Sequence, residues 1–251
     1  MYTKVKTNKE ISSMRTAGRI LAEVLQITSN YVTAGRTTYD LAKVAEKEIV
    51  KRGAIPSFLG YQGFPSALCT SVNDAVVHGI PSTKVVLREG DIIGLDLGVT
   101  YQNMIVDGAC TVPVGSISED RQKLLATTER SLNEGLSQIK EGCTVGDIGS
   151  AIEVVLKKDN YGIVRDLVGH GVGHQVHEDP NIPNYGKKGS GERLLTGMTI
   201  AVEPMATLGG EKIYIDTDGW TVRTSDGSVS AHFEHTVLIT ENGHEILTIA
   251  T

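Results

Sequence analysis

Apolar residues recur at helical spacing in four stretches of the chain. Ile11, Met14, Leu21 and Leu25 follow Thr7-Asn8-Lys9-Glu10, a capping-box pattern that marks a helix start. Leu41, Val44, Ala45 and Ile49 give one face of a second predicted helix over 38–52, with Gly53 as its stop. A third is predicted from about Ser118 to Gly142 on Leu125, Leu132, Leu136 and Ile139, and a fourth from Val145 to Lys158. Strand is expected over 91–99, 104–114, 198–202, 212–215 and 233–239. No low-complexity linker separates these elements, so residues 1–251 are expected to form one unit mixing helices and strands.

The pattern repeats itself. Gly35, Thr37, Asp40, Leu41 and Glu46 recur as Gly142, Thr144, Asp147, Ile148 and Glu153, an offset of 107 positions. The same offset carries Leu87 onto Leu194, Gly90 onto Gly197, Ile93 onto Ile200 and Asp96 onto Glu203. One register held from a helix start to an acidic residue inside a strand points to a duplicated half. Two such halves facing each other would bring Asp96 and Glu203 to related places at a shared centre.

Those acids stand out because their surroundings are apolar. Asp96 interrupts Ile92-Ile93-Gly94-Leu95 and Leu97, and Asp107 follows Met104-Ile105-Val106. A lone carboxylate in a buried strand costs several kcal/mol unless it is paired, protonated or bound to metal. A hairpin tip between Tyr101 and Gln102 would set Asp96 directly opposite Asp107. Likewise a turn at Asp218-Gly219 would set Glu203 opposite Glu234. Like charges so close repel strongly, and a divalent cation is the ordinary remedy.

Histidines add nitrogen to this set. His170, His174 and His177 lie in Gly169-His170-Gly171-Val172-Gly173-His174-Gln175-Val176-His177, too rich in glycine for a helix. An extended or looped segment is expected, with His170 available as a ligand, His177 further along the same cleft and His174 outside it. His78, taken alone, reads as a structural histidine before a turn. Four carboxylates and one imidazole suit two bridged divalent ions such as Mn, Fe, Co or Zn.

Bulk composition narrows the class only a little. A net charge of −6 gives no support for a nucleic-acid binder, and Lys4, Lys6, Lys9, Arg15 and Arg19 are expected on a solvated helix face. No apolar run approaches the roughly 20 residues of a membrane span. Three cysteines without a CxxC pair argue against a disulfide framework and make the cytoplasm the expected compartment.

Further motifs accompany these residues: Ser71-Val72-Asn73-Asp74 with His78-Gly79-Ile80-Pro81, Asp96-Leu97-Gly98 with Asp107-Gly108, His177-Glu178-Asp179-Pro180, Val202-Glu203-Pro204-Met205, Asp218-Gly219-Trp220 and Glu234-His235-Thr236. In this order, over essentially the whole length, the chain resembles the type I methionine aminopeptidases of the bacterial kind. The resemblance implies an α+β pita-bread (creatinase/aminopeptidase) fold. Two pseudo-symmetric halves, roughly 7–110 and 118–240 of a single catalytic domain, would surround a curved antiparallel sheet with helices outside it.

It further implies two divalent ions on Asp96, Asp107, His170, Glu203 and Glu234, with Asp107 and Glu234 bridging and Glu203 doubling as general base. His78 and His177 would contact substrate, and Tyr61, Phe64, Cys69 and Trp220 would line a methionine pocket, although Phe58 and Phe64 read equally well as core packing. The implied reaction is removal of the initiator methionine, ahead of small second residues, by a metal-activated water or hydroxide. The implied partner is the N-terminus of a peptide or nascent chain, with the ribosome as a candidate contact. No membrane or direct nucleic-acid partner is implied, and a monomer is expected.

His174 and Val176 depart from the residues common at their positions, which bears on pocket width. The chain is expected to start almost directly at the catalytic unit. It is too short to hold the extra N-terminal domain usual in Xaa-Pro aminopeptidases and prolidases. A non-catalytic binding protein on the same scaffold would show degenerate ligands, and all five are intact.

Overall fold

Each helix begins where its capping signal stands. In the computed structural model, which describes residues 5–249, α1 (Asn8–Tyr31) starts at Thr7, whose hydroxyl and backbone exchange hydrogen bonds with Glu10. α2 (Thr38–Lys51) starts at Thr37 with the same reciprocal contact to Asp40, and positive φ at Gly53 turns the chain away at its end. Two short strands, β1 (Ile55–Pro56) and β2 (Cys69–Val72), and β3 (Ala75–Val77) lead into a long hairpin, β4 (Ile92–Tyr101) and β5 (Met104–Pro113).

The second half opens with α3 (Glu119–Ser137) and α4 (Val145–Lys158). α3 stops five residues before Gly142, the expected end, because the chain turns to bury Ile139 and to bond Gly142 N–H to Leu194. Its fully buried stripe runs through Leu124 rather than the half-buried Leu125. Then come β6 (Gly162–Ile163), β7 (Gly169–Gly171), β8 (Glu178–Ile182), β9 (Thr199–Val202), β10 (Met205–Thr207), β11 (Ile213–Ile215), β12 (Val222–Thr224), β13 (Ser230–His232), β14 (Glu234–Thr240) and β15 (Gly243–Ile246).

The offset of 107 positions is written into the backbone. α2 and α4 both have 14 residues, and both begin with a threonine–aspartate capping box. Gly35 N–H donates to Leu87 O and Gly142 N–H donates to Leu194 O. Isolated bridges join Thr37 to Val86 and Thr144 to Arg193. These are the same contacts, displaced by one repeat.

Nine strands form the central antiparallel sheet in the order β1-β4-β5-β14-β9-β7-β8, with β2 on β4 and β15 on β14. One core cluster packs α1 and α2 on the first half of the sheet through Met14, Leu21, Leu41 and Ile49. A second packs α3 and α4 on the other half through Leu124, Leu132, Ile148 and Ile152. The sheet therefore has helices on its outer side and leaves its inner side for a site.

One hairpin differs from the sequence expectation. Gln102 and Asn103 form the turn, both at positive φ, so Tyr101 pairs with Met104 and Asp96 faces Ala109 rather than Asp107. A two-residue turn of this kind needs two left-handed residues, and Asn103 supplies the favourable one. The shift is two residues, so Asp96 and Asp107 stay on one face as diagonal neighbours. The register that sets Glu203 beside Glu234 does hold. It pairs Val202 with His235, Met205 with His232 and Tyr214 with Arg223, although the long arms split among three sheets.

Of the N-terminal basic residues, Lys9, Arg15 and Arg19 are exposed as expected, and Lys6 is not. Lys4 lies outside the described residues. Lys6 is buried, its Nζ 2.6 Å from Glu178 Oε2. Among the described residues no helix is long and apolar enough to cross a membrane.

Candidate metal centre

Two neighbouring rows of residues cross the inner face of the sheet. In one, Cys69 pairs with Asp96, Asp96 with Ala109 and Ala109 with Glu234, while the hairpin register brings Glu203 alongside. In the other, Gly98 pairs with Asp107, Thr236 Oγ1 bridges the N–H and C=O of Asp107, Thr236 pairs with Ala201, and Ala201 with His170. Paired residues share a face, and residues two apart along a strand return to it. Gly98, Ala109 and Ala201 fill little of that face. Long acidic side chains from neighbouring strands converge in the space left.

Ligand atoms of Asp107, His170 and Glu234 all lie within 4.8 Å of one another. Glu203 Oε1 is 3.4 Å from His170 Nε2. One cavity is lined by Asp96, Asp107, His170, Glu203 and Glu234 together with His78, His177, Tyr61, Phe64, Cys69 and Trp220, and by Phe58, Gln62 and Val176 besides. Its apolar end is a cluster of Phe58, Phe64, Cys69 and Val176, with the Trp220 ring edge-on to Phe64 at 5.2 Å. Asp218 holds Trp220 there by accepting from the backbone N–H groups of Trp220 and Thr221.

His78 reaches the cavity from a strained backbone, with φ of +58°. The next residue must be glycine, because a Cβ on Gly79 would lie 2.1 Å from Thr70 O. His174, in contrast, points away from the cavity: its Nε2 meets Glu10 Oε1 at 2.8 Å, tying the histidine loop to the α1 capping box.

The electrostatics are those of a site built for cations. Burial, with mutual repulsion, pushes Asp96 and Glu234 well above the usual carboxylate range. Burial raises Asp107 to about 7, helped by Glu203, and raises Glu203 to about 8. Among the described residues, the buried Asp96 Oδ1 and Glu234 Oε1 have no hydrogen-bond partner. Four acids that repel one another, two of them with bare oxygens, fit a bound divalent cation.

The tautomers of two adjoining imidazoles complete the fit. His170 and His177 lie edge-on, 4.4 Å apart. Burial lowers His170 to about 3, so the ring is neutral, and its Nδ1 lies 2.9 Å from Gly171 O. Only an N–H can bond a carbonyl, so Nδ1 carries the proton and Nε2 presents a lone pair, as a metal ligand must. In His177, Nδ1 lies 2.9 Å from Tyr61 Oη, which itself accepts from Gln62 Nε2. A Tyr61 O–H that donates to Nδ1 leaves the His177 proton on Nε2, where it can be given to a substrate oxygen.

Sequence reasoning passed over two residues. Asn184 is fully buried and donates to Glu203 O. His232 is buried with Nε2 3.6 Å from Glu203 Oε2. The signal for His232 was its position two residues before Glu234.

Comparison with known proteins agrees with this geometry. The family model of metallopeptidase family M24 matches residues 12–241. The chain belongs to metallopeptidase family M24. It is 46% identical to methionine aminopeptidase 1 of Bacillus subtilis (strain 168), over 97% of this chain and 98% of that one. The solved methionine aminopeptidase of Thermotoga maritima superposes with a TM-score of 0.96 at 42% identity, covering 98% of each chain. A prolidase from Pyrococcus furiosus gives 0.78 at 26% identity, and there the match covers 98% of this chain and 66% of the other. The fold is thus the M24 pita-bread fold; membership of a metallopeptidase family implies divalent-metal binding, and Asp107, His170 and Glu234 form a cluster that could hold an ion.

Proposed function

We propose that the protein is a methionyl aminopeptidase that removes N-terminal methionine from peptides and nascent chains with small second residues. The carrying observation is one cavity with acidic donors at its floor and an aromatic, apolar slot beside them. Full-length likeness to methionine aminopeptidases supports the same reading.

Asp96, Asp107, His170, Glu203 and Glu234 would hold two ions drawn from Mn, Fe, Co or Zn. When bound, such ions polarise the scissile carbonyl and lower the pKa of water from 15.7 towards about 7. Glu203, freed of its proton by the cationic surroundings, takes a proton from the attacking water and passes it to the departing amine. His177 donates Nε2–H to the oxygen on which charge develops, and Tyr61 keeps that proton in place. His78 faces the same substrate. Phe64, Cys69 and Trp220 form the slot for an unbranched thioether, whose sulfur favours aromatic edges. Tyr61, Gln62 and His177 stand at its mouth and crowd the second residue.

The test is release of free methionine from Met-Ala-Ser and Met-Leu-Ser by chelator-stripped protein resupplied with each metal. Metal-dependent release, faster for the alanine peptide, is expected, and Asp96→Asn should abolish it with the fold retained. No release with any metal, or full activity in Asp96→Asn, overturns the assignment.

A further inference from the structure

Glu203 lies between two imidazoles. On one side His170 Nε2 is 3.4 Å from Oε1, and on the other His232 Nε2 is 3.6 Å from Oε2. The His170 nitrogen presents a lone pair, as its bond to Gly171 requires. It cannot donate to Glu203. The carboxylate therefore has one side turned to the metal centre and needs a donor on the other.

His232 is placed to be that donor. Its ring is 3% exposed, and its Nε2 is sealed from solvent with no hydrogen-bond partner among the described residues. Thr111 clamps its backbone from β5: His232 N–H donates to Thr111 Oγ1 at 2.9 Å, and that hydroxyl donates to His232 O at 2.8 Å. On the other side Met205 pairs with it in β10. With its backbone so held and its ring buried, His232 has little space in which to seek another partner. Asn184, donating to Glu203 O, fixes the backbone of the same acid.

We propose that His232 is a positioning residue that carries its proton on Nε2 and donates it to Glu203 Oε2, so that Oε1 faces His170 and the metal. The 3.6 Å gap exceeds an ordinary N–H···O bond by about 0.6 Å and is within reach of a small rotation of the Glu203 side chain. Supporting partners of this kind orient a ligand and set the affinity of the site, and losing one typically costs about 10–100-fold. This inference rests on the metallopeptidase reading above.

The test compares His232→Leu with His232→Gln, side chains of similar volume of which only glutamine keeps an N–H. Chelator-stripped full-length protein is titrated calorimetrically with Mn²⁺, melted to check folding, and assayed for kcat and KM on Met-Ala-Ser. His232→Leu is expected to weaken Mn²⁺ binding by about 10–100-fold and to lower kcat more than it alters KM. His232→Gln is expected to stay within about threefold of the parent on both measures. Parent-like Mn²⁺ affinity and kcat in the leucine variant overturn the proposal, as does equal impairment of the two variants. If the parent itself neither binds Mn²⁺ nor releases methionine, the metallopeptidase reading has failed and this inference falls with it.

Discussion

Replacing Lys6 by methionine asks whether the segment ahead of α1 holds the histidine loop in place. The Lys6 and Glu178 side chains are 0% and 3% exposed, and their charged atoms are 2.6 Å apart. Glu178 Oε1 also accepts from the backbone N–H groups of His174 and Gln175, so the acid ties Lys6 to the turn that carries His177. At an effective dielectric of about 20 the attraction is about 6 kcal/mol, and desolvation of the two ions offsets most of it. The pair is thus nearly neutral in net stability, but breaking it is not. Methionine fills the aliphatic space of lysine and leaves Glu178 charged and buried without its counter-ion, its Oε1 still bonded to the two amides, a loss of about 3–5 kcal/mol. Urea unfolding of the chelator-stripped protein measures it, with Arg15→Met as the control. Arg15 pairs with Glu245 at 52% and 39% exposure, and its loss should cost under about 1 kcal/mol. Adding Glu178→Gln to Lys6→Met should recover most of the stability, because glutamine still accepts from both amides without a charge. A Lys6→Met loss as small as that of Arg15→Met would refute the argument.

Two other outcomes follow from the same physics. Without metal, Asp107 and Glu203 titrate at about 7 and 8 in the fold, above their ordinary values, so the folded state binds more protons and loses stability as pH rises through that window. His170 at about 3 and His78, His232 and His235 at about 4 act oppositely, since burial lowers them, but their contribution is complete above about 6.5. The melting midpoint of stripped protein should therefore fall between pH 6.5 and 8 and flatten when Mn²⁺ is added; a rise over that interval would contradict the burial of the acids. Gly79→Ala should destabilise by about 3 kcal/mol in urea, because the new Cβ meets the backbone oxygen of Thr70 at 2.1 Å and β2 cannot yield without leaving β4. Unchanged stability would show that β2 has slack.

Much of this protein is set by signals that act over a few residues. Thr7, Thr37 and Thr144 each find an acid three positions on, and each starts a helix wherever the rest of the chain lies. The 107-residue repeat is legible because both halves keep the same residues for one contact, a glycine N–H to the carbonyl of a leucine 52 positions on. That the acids would gather in one place was legible because ionisable residues in apolar strands need a reason to be there, and they do line one cavity. The turn at Gln102 and Asn103 was not, since Gln102 takes positive φ with no glycine to announce it, and the facing register moved by two. The strands of two or three residues were hidden as well, because they are strands only by virtue of their partners. Whether a polar side chain is solvated or buried depends on what the fold lays over it. Lys6 meets an acid 172 positions away, and His232 Nε2 comes to 3.6 Å from Glu203 Oε2. Sequence determined which groups carry charge and where the backbone turns. Tertiary structure alone decided which charges share a space without water, because desolvation and repulsion depend on distance in space rather than along the chain.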